Sequence, residues 1–152
     1  KLFLLLILAS IFVSQCGFKK VTQTDLNYSI SQIETKGDKK INHRLKNELL
    51  IKNPKGKNLL VINLTTNKKK VIKEKNIKNE ITKYQISLES NVKFFLINGN
   101  IKASFNKSVT GDFIAADSYS TTINNEKKIV DNLIESLSEK ILDEIVLKLN
   151  DL

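Results

Sequence analysis

"ITKYQISLESNVKFFLINGNIKASFNKSV", Ile81 to Val109, decides the fold. Tyr84, Ile86, Leu88, Val92, Phe94 and Leu96 occupy alternate positions, and Ser90 is the polar break. A period of two belongs to a strand with one buried face. Asn98-Gly99 follows, a dipeptide that favours a type I′ hairpin because both central residues need positive φ. With 98 and 99 as the loop, Leu96 faces Ile101, Phe94 faces Ala103, Val92 faces Phe105 and Leu88 faces Val109. All these pairs are apolar and share a face. The other face pairs Phe95 with Lys102, Lys93 with Ser104 and Asn91 with Asn106. A slip of one residue would turn the greasy set to solvent, so the register is strongly specified.

That greasy face needs a cover. From about Ile123 to the end, Val130, Leu133, Ile134, Leu137, Ile141, Leu142, Ile145 and Leu149 recur at helical spacing, with Asp131, Glu135, Glu139 and Asp143 on the opposite side. This long amphipathic helix is the expected partner of the hairpin. The small and polar run Thr110–Thr122 reads as a loop. Upstream, "NLLVINLTT" (Asn58–Thr66) reads as a strand. Asn67–Glu80 carries Lys68, Lys69, Lys70, Lys73, Lys75 and Lys78, and reads as a polar connection or a strand extension. Lys39–Lys52 places Ile41, Leu45, Leu49 and Leu50 on one helical stripe, with Asp38 as N-cap and Asn53-Pro54 as the stop. Asn27–Glu34 alternates, with Tyr28, Ile30 and the Gln32 position on one face and Ser29, Ser31 and Ile33 on the other. The order is β-α-β-β-β-α. It implies an α+β two-layer sandwich, with two helices on one face of a roughly four-stranded mixed or antiparallel sheet.

The front of the chain reads as an address. Lys1 and the apolar run Leu2–Val13 fit a secretory signal, and the run is short of the about 20 apolar residues a membrane-spanning helix needs. The sequence starts at Lys1 with no methionine, so a short front piece is expected to be missing. "VSQC", Val13–Cys16, resembles a bacterial lipobox, with the sole cysteine as the acylation site. Gln15 stands where such motifs carry a small residue. A single cysteine allows no internal disulfide. The expected organisation is a signal peptide at 1–15, a lipidated cysteine and polar tether at 16–26, and one domain at 27–152.

The 152 residues suit one domain, and 41% hydrophobic content supports a buried core. The net charge is +9, almost all lysine, with Arg44 the sole arginine. Nucleic-acid readers lean on arginine for bidentate contacts, so an exported lysine-rich chain points instead to anionic lipids or phosphates. Compositional bias that inflates Lys, Asn and Ile together is the competing source of the charge. His43 is the single histidine and lies off the helical stripe. Without a second histidine, a zinc site or a triad has few candidates, and five glycines leave little room for a phosphate loop. The residues point to no enzyme, no cofactor and no metal.

The lipobox, "CGF" at Cys16–Phe18, "IKASFN" at Ile101–Asn106, "SYS" at Ser118–Ser120 and the element order together resemble the LPS-assembly lipoprotein family, LptE. The resemblance covers essentially the whole chain after the signal, though the early proline usual after the cysteine is absent. It implies a lipid-anchored plug at the periplasmic face of the outer membrane. It implies an LptD-type β-barrel and lipopolysaccharide as partners, and membrane attachment through Cys16. Gly17 after the cysteine favours outer-membrane sorting by the same resemblance. Lys68, Lys69 and Lys70 are the candidate contacts for lipopolysaccharide phosphates. Two rival readings make their own demands. A small-lipid carrier or sensor needs an apolar pocket between the last helix and the hairpin. A periplasmic hydrolase needs a cleft holding His43 with a carboxylate and a hydroxyl.

Overall fold

The computed structural model describes residues 27–97 and 102–150. The signal segment, Cys16, the tether and the Asn98-Gly99 turn with Ile101 lie outside the described residues. In chain order the elements are β1 (Tyr28–Gly37), α1 (Lys39–Ile51), β2 (Asn58–Lys75), β3 (Ile81–Leu96), β4 (Lys102–Ile114) and α2 (Tyr119–Asn150). The strands form one sheet in the order β1-β2-β3-β4. β1 runs parallel to β2, and the other neighbours are antiparallel. This is the mixed four-stranded α+β sandwich expected from the pattern.

The hairpin register is the one expected with residues 98 and 99 as the loop: Val92 lies opposite Phe105, Phe94 opposite Ala103 and Leu88 opposite Val109. Its greasy face packs under α2. Val130, Leu133, Ile134, Leu137, Ile141 and Ile145 are buried there against Ile86, Leu88, Val92 and Phe94. α1 covers β1 and β2 and leans on α2, and its Leu45 and Leu49 are fully buried. Each such aliphatic side chain contributes on the order of 1.5–3 kcal/mol by leaving water.

Four details differ from the pattern or complete it. Asn67–Lys75 extends β2 and pairs with β3 down to Lys75 opposite Ile81. β4 continues through Thr110–Ile114, where a loop was expected, because Phe113 is buried and stacks on Tyr84 with centroids 5.2 Å apart. α2 starts at Tyr119, before the expected Ile123, since the Ser118 hydroxyl accepts the backbone N–H of Thr121 at 3.1 Å and caps it. In β1 a bulge at Ser31 inserts one extra residue. Parity flips, so Ile33 joins Tyr28 and Ile30 in the core and Gln32 turns out.

Two local devices lock β1 to α1. Gly37 adopts φ +95°, and a methyl group there would collide with the Thr66 carbonyl oxygen. The chain then turns at once into α1, whose Asp38 carboxylate accepts the N–H groups of Lys40 and Ile41, each at 3.0 Å. At the far end of α1, the Asn53 side chain accepts the Ile30 N–H at 2.7 Å and donates to the Ile30 carbonyl at 3.0 Å. A residue placed to stop the helix thus also rivets its end to the edge strand.

Candidate functional site

β1 ends opposite Thr66 of β2. Beyond that point the sheet has three strands and a single covering helix. The inward positions of β2 change character there. Leu60, Ile62 and Leu64 give way to Thr66, whose hydroxyl lies 3.1 Å from that of Ser90, and then to Lys68 and Lys70. Ser90, the polar break in the hairpin pattern, is thus the partner of a buried threonine.

Lys68 and Lys70 both reach Glu126 of α2, at 2.6 Å to separate carboxylate oxygens. Burial raises the Glu126 pKa, but hydrogen bonds and charge from Lys68 and Lys70 outweigh it and hold the carboxyl below its ordinary value. The Lys70 ammonium also sits 4.4 Å from the Tyr84 ring centroid and 5.0 Å from that of Phe113, over the stacked pair. Strand alternation sends Lys69 to the opposite, open face of the sheet, where it is exposed and makes no ion pair among the described residues. The three candidate lysines therefore divide between two faces. Lys73 pairs with Asp112, and Lys75 donates to Asn79 at 2.9 Å.

Lys68 also lines a groove of about 330 Å³ between the start of α1 and the start of α2, with Asp38, Lys40, Arg44, Ile123, Glu126 and Lys127 among its walls. Arg44 crosses to Asp131 of α2. Lys40, Arg44 and Lys127 escape a linear reading because they come from two distant helices. The signal that could have found two of them is the i, i+4 spacing of Lys40 and Arg44 on one helix face. With Lys68 they give the groove four cations, of which Lys68 is paired with Glu126 and Arg44 with Asp131.

No protein-family model matches the chain, and no curated protein sequence matches it. Solved structures do. Rare lipoprotein B from Shewanella oneidensis superposes with a TM-score of 0.61 at 11% identity, over 79% of this chain and 97% of that one. The chain has the rare lipoprotein B fold. A putative lipoprotein from Caulobacter crescentus gives 0.59 at 13% identity, over 78% of this chain and 90% of its own. Uncharacterized lipoprotein B from Nitrosomonas europaea gives 0.54 at 10% identity, over 85% and 90% respectively.

On this fold the two rival readings meet different surroundings. The space between α2 and the hairpin, where a small-lipid carrier needs a pocket, is filled by Leu137, Ile141 and Phe94, each at most 1% exposed. His43 is exposed, in a depression lined by Thr35, Lys36, Gly37, Lys39, Asn42 and Lys46, which brings a hydroxyl but no carboxylate. Among the described residues no three His, Cys, Asp or Glu side chains group as metal ligands. None of the described helices is long and apolar enough to cross a membrane.

Proposed function

We propose that this chain is a non-catalytic, lipid-anchored lipoprotein of the LptE type. It would be held through Cys16 at the periplasmic face of the outer membrane. There it would partner an LptD-type β-barrel as plug and assembly factor in lipopolysaccharide transport. The observation that carries the reading is the shared fold with three lipoproteins over 78–85% of this chain. The lipobox-like Val13–Cys16 supports it independently. A wedge of sheet and helices with a filled core suits a plug, which must keep its shape inside a larger wall.

Direct binding of lipopolysaccharide phosphates is part of the proposal, with Lys68, Lys69 and Lys70 as contacts. Lys69 is free to meet a phosphate, whereas Lys68 and Lys70 would exchange Glu126 for it. Reversing all three to Glu is expected to weaken lipopolysaccharide binding; unchanged binding would remove this part of the proposal.

The deciding experiment is affinity purification of the tagged, membrane-extracted chain with mass spectrometry of what accompanies it. A large β-barrel in near-equal amount, with an acylated Cys16, supports the whole reading. Acylated chain without a barrel keeps the anchor and discards the translocon.

A further inference from the structure

The two edges of the sheet are finished differently. The β1 edge is sealed. The Gly56 N–H donates to the Tyr28 carbonyl at 2.8 Å, and the Asn53 side chain takes both the N–H and the carbonyl of Ile30. The Lys46 ammonium donates to the Ile33 carbonyl at 3.2 Å, and the Asn42 amide to that of Lys36 at 2.7 Å. On the β4 side, the Ala115 N–H donates to the Thr82 carbonyl of β3 at 3.0 Å. Pairing of β4 with β3 runs without a register shift. Odd positions therefore bond β3, and even positions turn their N–H and C=O to the free edge. The Ile114 carbonyl is the last of these, and the Asn125 side chain donates to it at 3.1 Å. From Lys102 to Asp112, no group among the described residues caps the even positions.

An open edge by itself names no partner. The sequence of β4 does, because Phe105–Phe113 is self-complementary about Val109. Laid antiparallel on a second copy with Val109 opposite Val109, the helix-side face pairs Phe105 with Phe113 and Lys107 with Gly111. The open face pairs Ser108 with Thr110 and Asn106 with Asp112. Apolar meets apolar, and no like charges meet. Lys107 is an inward charge, which on an edge strand ordinarily blocks pairing. Here it is drawn onto Glu144 of α2 at 2.6 Å, and the residue opposite it in the copy has no side chain. Moving the centre to Ser108 sets Lys107 against Val109, and moving it to Lys107 sets two lysines face to face. Phe105 is only half-buried within one copy, edge-on to Phe94 with centroids 6.3 Å apart, so it has surface left to cover.

We propose that β4 pairs antiparallel with β4 of a second copy about Val109, joining two four-stranded sheets into one. This needs only two copies of the chain and does not rest on the barrel reading. The test is native mass spectrometry of the full tagged chain, extracted from membranes in detergent, which reads one copy against two. Wild type should give a dimer whose share rises with concentration. Ser108 and Thr110 are exposed, so Ser108→Lys/Thr110→Lys should keep the wild-type melting temperature. It sets lysines opposite lysines and should lower the dimer association constant about tenfold. Mixing it with Ser108→Glu/Thr110→Glu should restore pairing as a heterodimer. Thr110→Pro removes an edge N–H without touching the β3 ladder, and should also separate the copies. Wild type that stays single at every concentration overturns the proposal. A dimer that survives both the lysine pair and the proline overturns the β4 seam. The register has its own check. Copies carrying Ser108→Cys and Thr110→Cys, differently tagged and co-expressed, should join by a disulfide above the level that Cys16 alone gives. Ser108→Cys with Ser104→Cys should not; equal yields from the two combinations overturn the centre at Val109.

Discussion

The two halves of the sheet solve burial differently. In the half up to Thr66, four strands lie under two helices, and the inward side chains of β2 are Leu60, Ile62 and Leu64. In the half beyond, three strands lie under one helix, and the same face of the same strand presents Lys68 and Lys70. The sequence of β2 changes where the cover does. With a second helix overhead, only apolar side chains fill the space. At the margin, a lysine can lay its stem along the sheet and put its ammonium on a carboxylate of the remaining helix. The first half holds the molecule together. The second half is free to meet something else.

The contrast can be broken most forcefully in the four-stranded half. Phe94→Ala should cost about 3–5 kcal/mol by leaving a cavity under α2, measured by chemical denaturation. A much smaller loss would mean that the apolar half does not dominate stability. Gly37→Ala comes next. It forces an alanine into the left-handed region against the Thr66 carbonyl, and should cost at least about 1–3 kcal/mol. At the seam, Thr66→Val alone should cost about 1–3 kcal/mol by orphaning the Ser90 hydroxyl, whereas Thr66→Val with Ser90→Ala should recover much of the loss. Equal penalties for the single and double variants would show that the hydroxyl pair is not coupled.

The ion-paired half should answer more weakly and with a pH signature. Glu126→Gln should cost about 1 kcal/mol or less. The Glu126 pKa is lowered in the fold, so its contribution is fully present above the ordinary carboxylate range and is lost as pH falls through the folded value. Wild type and variant should therefore converge in stability in acid. Tyr28 gives the opposite sign in the four-stranded half. Burial first and the charge of Asp143 second push its hydroxyl from 10.0 up to about 12. Stability tied to the neutral phenol is intact below pH 10 and declines as pH rises toward 12. Tyr28→Phe should remove that alkaline slope with little effect at neutral pH, since no partner among the described residues hydrogen-bonds the Tyr28 hydroxyl.

Legibility followed that divide only in part. The hairpin register was readable because its apolar residues alternate up to a dipeptide that fixes the turn, and both cues agree. The extension of β2 could not be placed because Lys68 and Lys70 look like solvent residues on either face; only Glu126, distant in sequence, makes one face habitable. The bulge at Ser31 was hidden because one inserted residue reverses the parity on which strand reading depends. At the candidate site, the basic character of residues 68–70 was plain, but their division between two faces was not. The groove cations Lys40, Arg44 and Lys127 come together only when α1 and α2 are laid side by side.

The double hydrogen bond from Asn53 to Ile30 has a mechanical meaning. If the molecule is pulled at Asn27 against the far end of β2, tension runs along the strands. Since β1 lies parallel to β2, that tension loads their ladder in shear, with all its hydrogen bonds sharing the force. Asn53 sits beside the first rungs, where load enters, and transfers part of it into α1 and from there to the core. Such a pull would thus have to tear the ladder at once instead of unpicking it rung by rung.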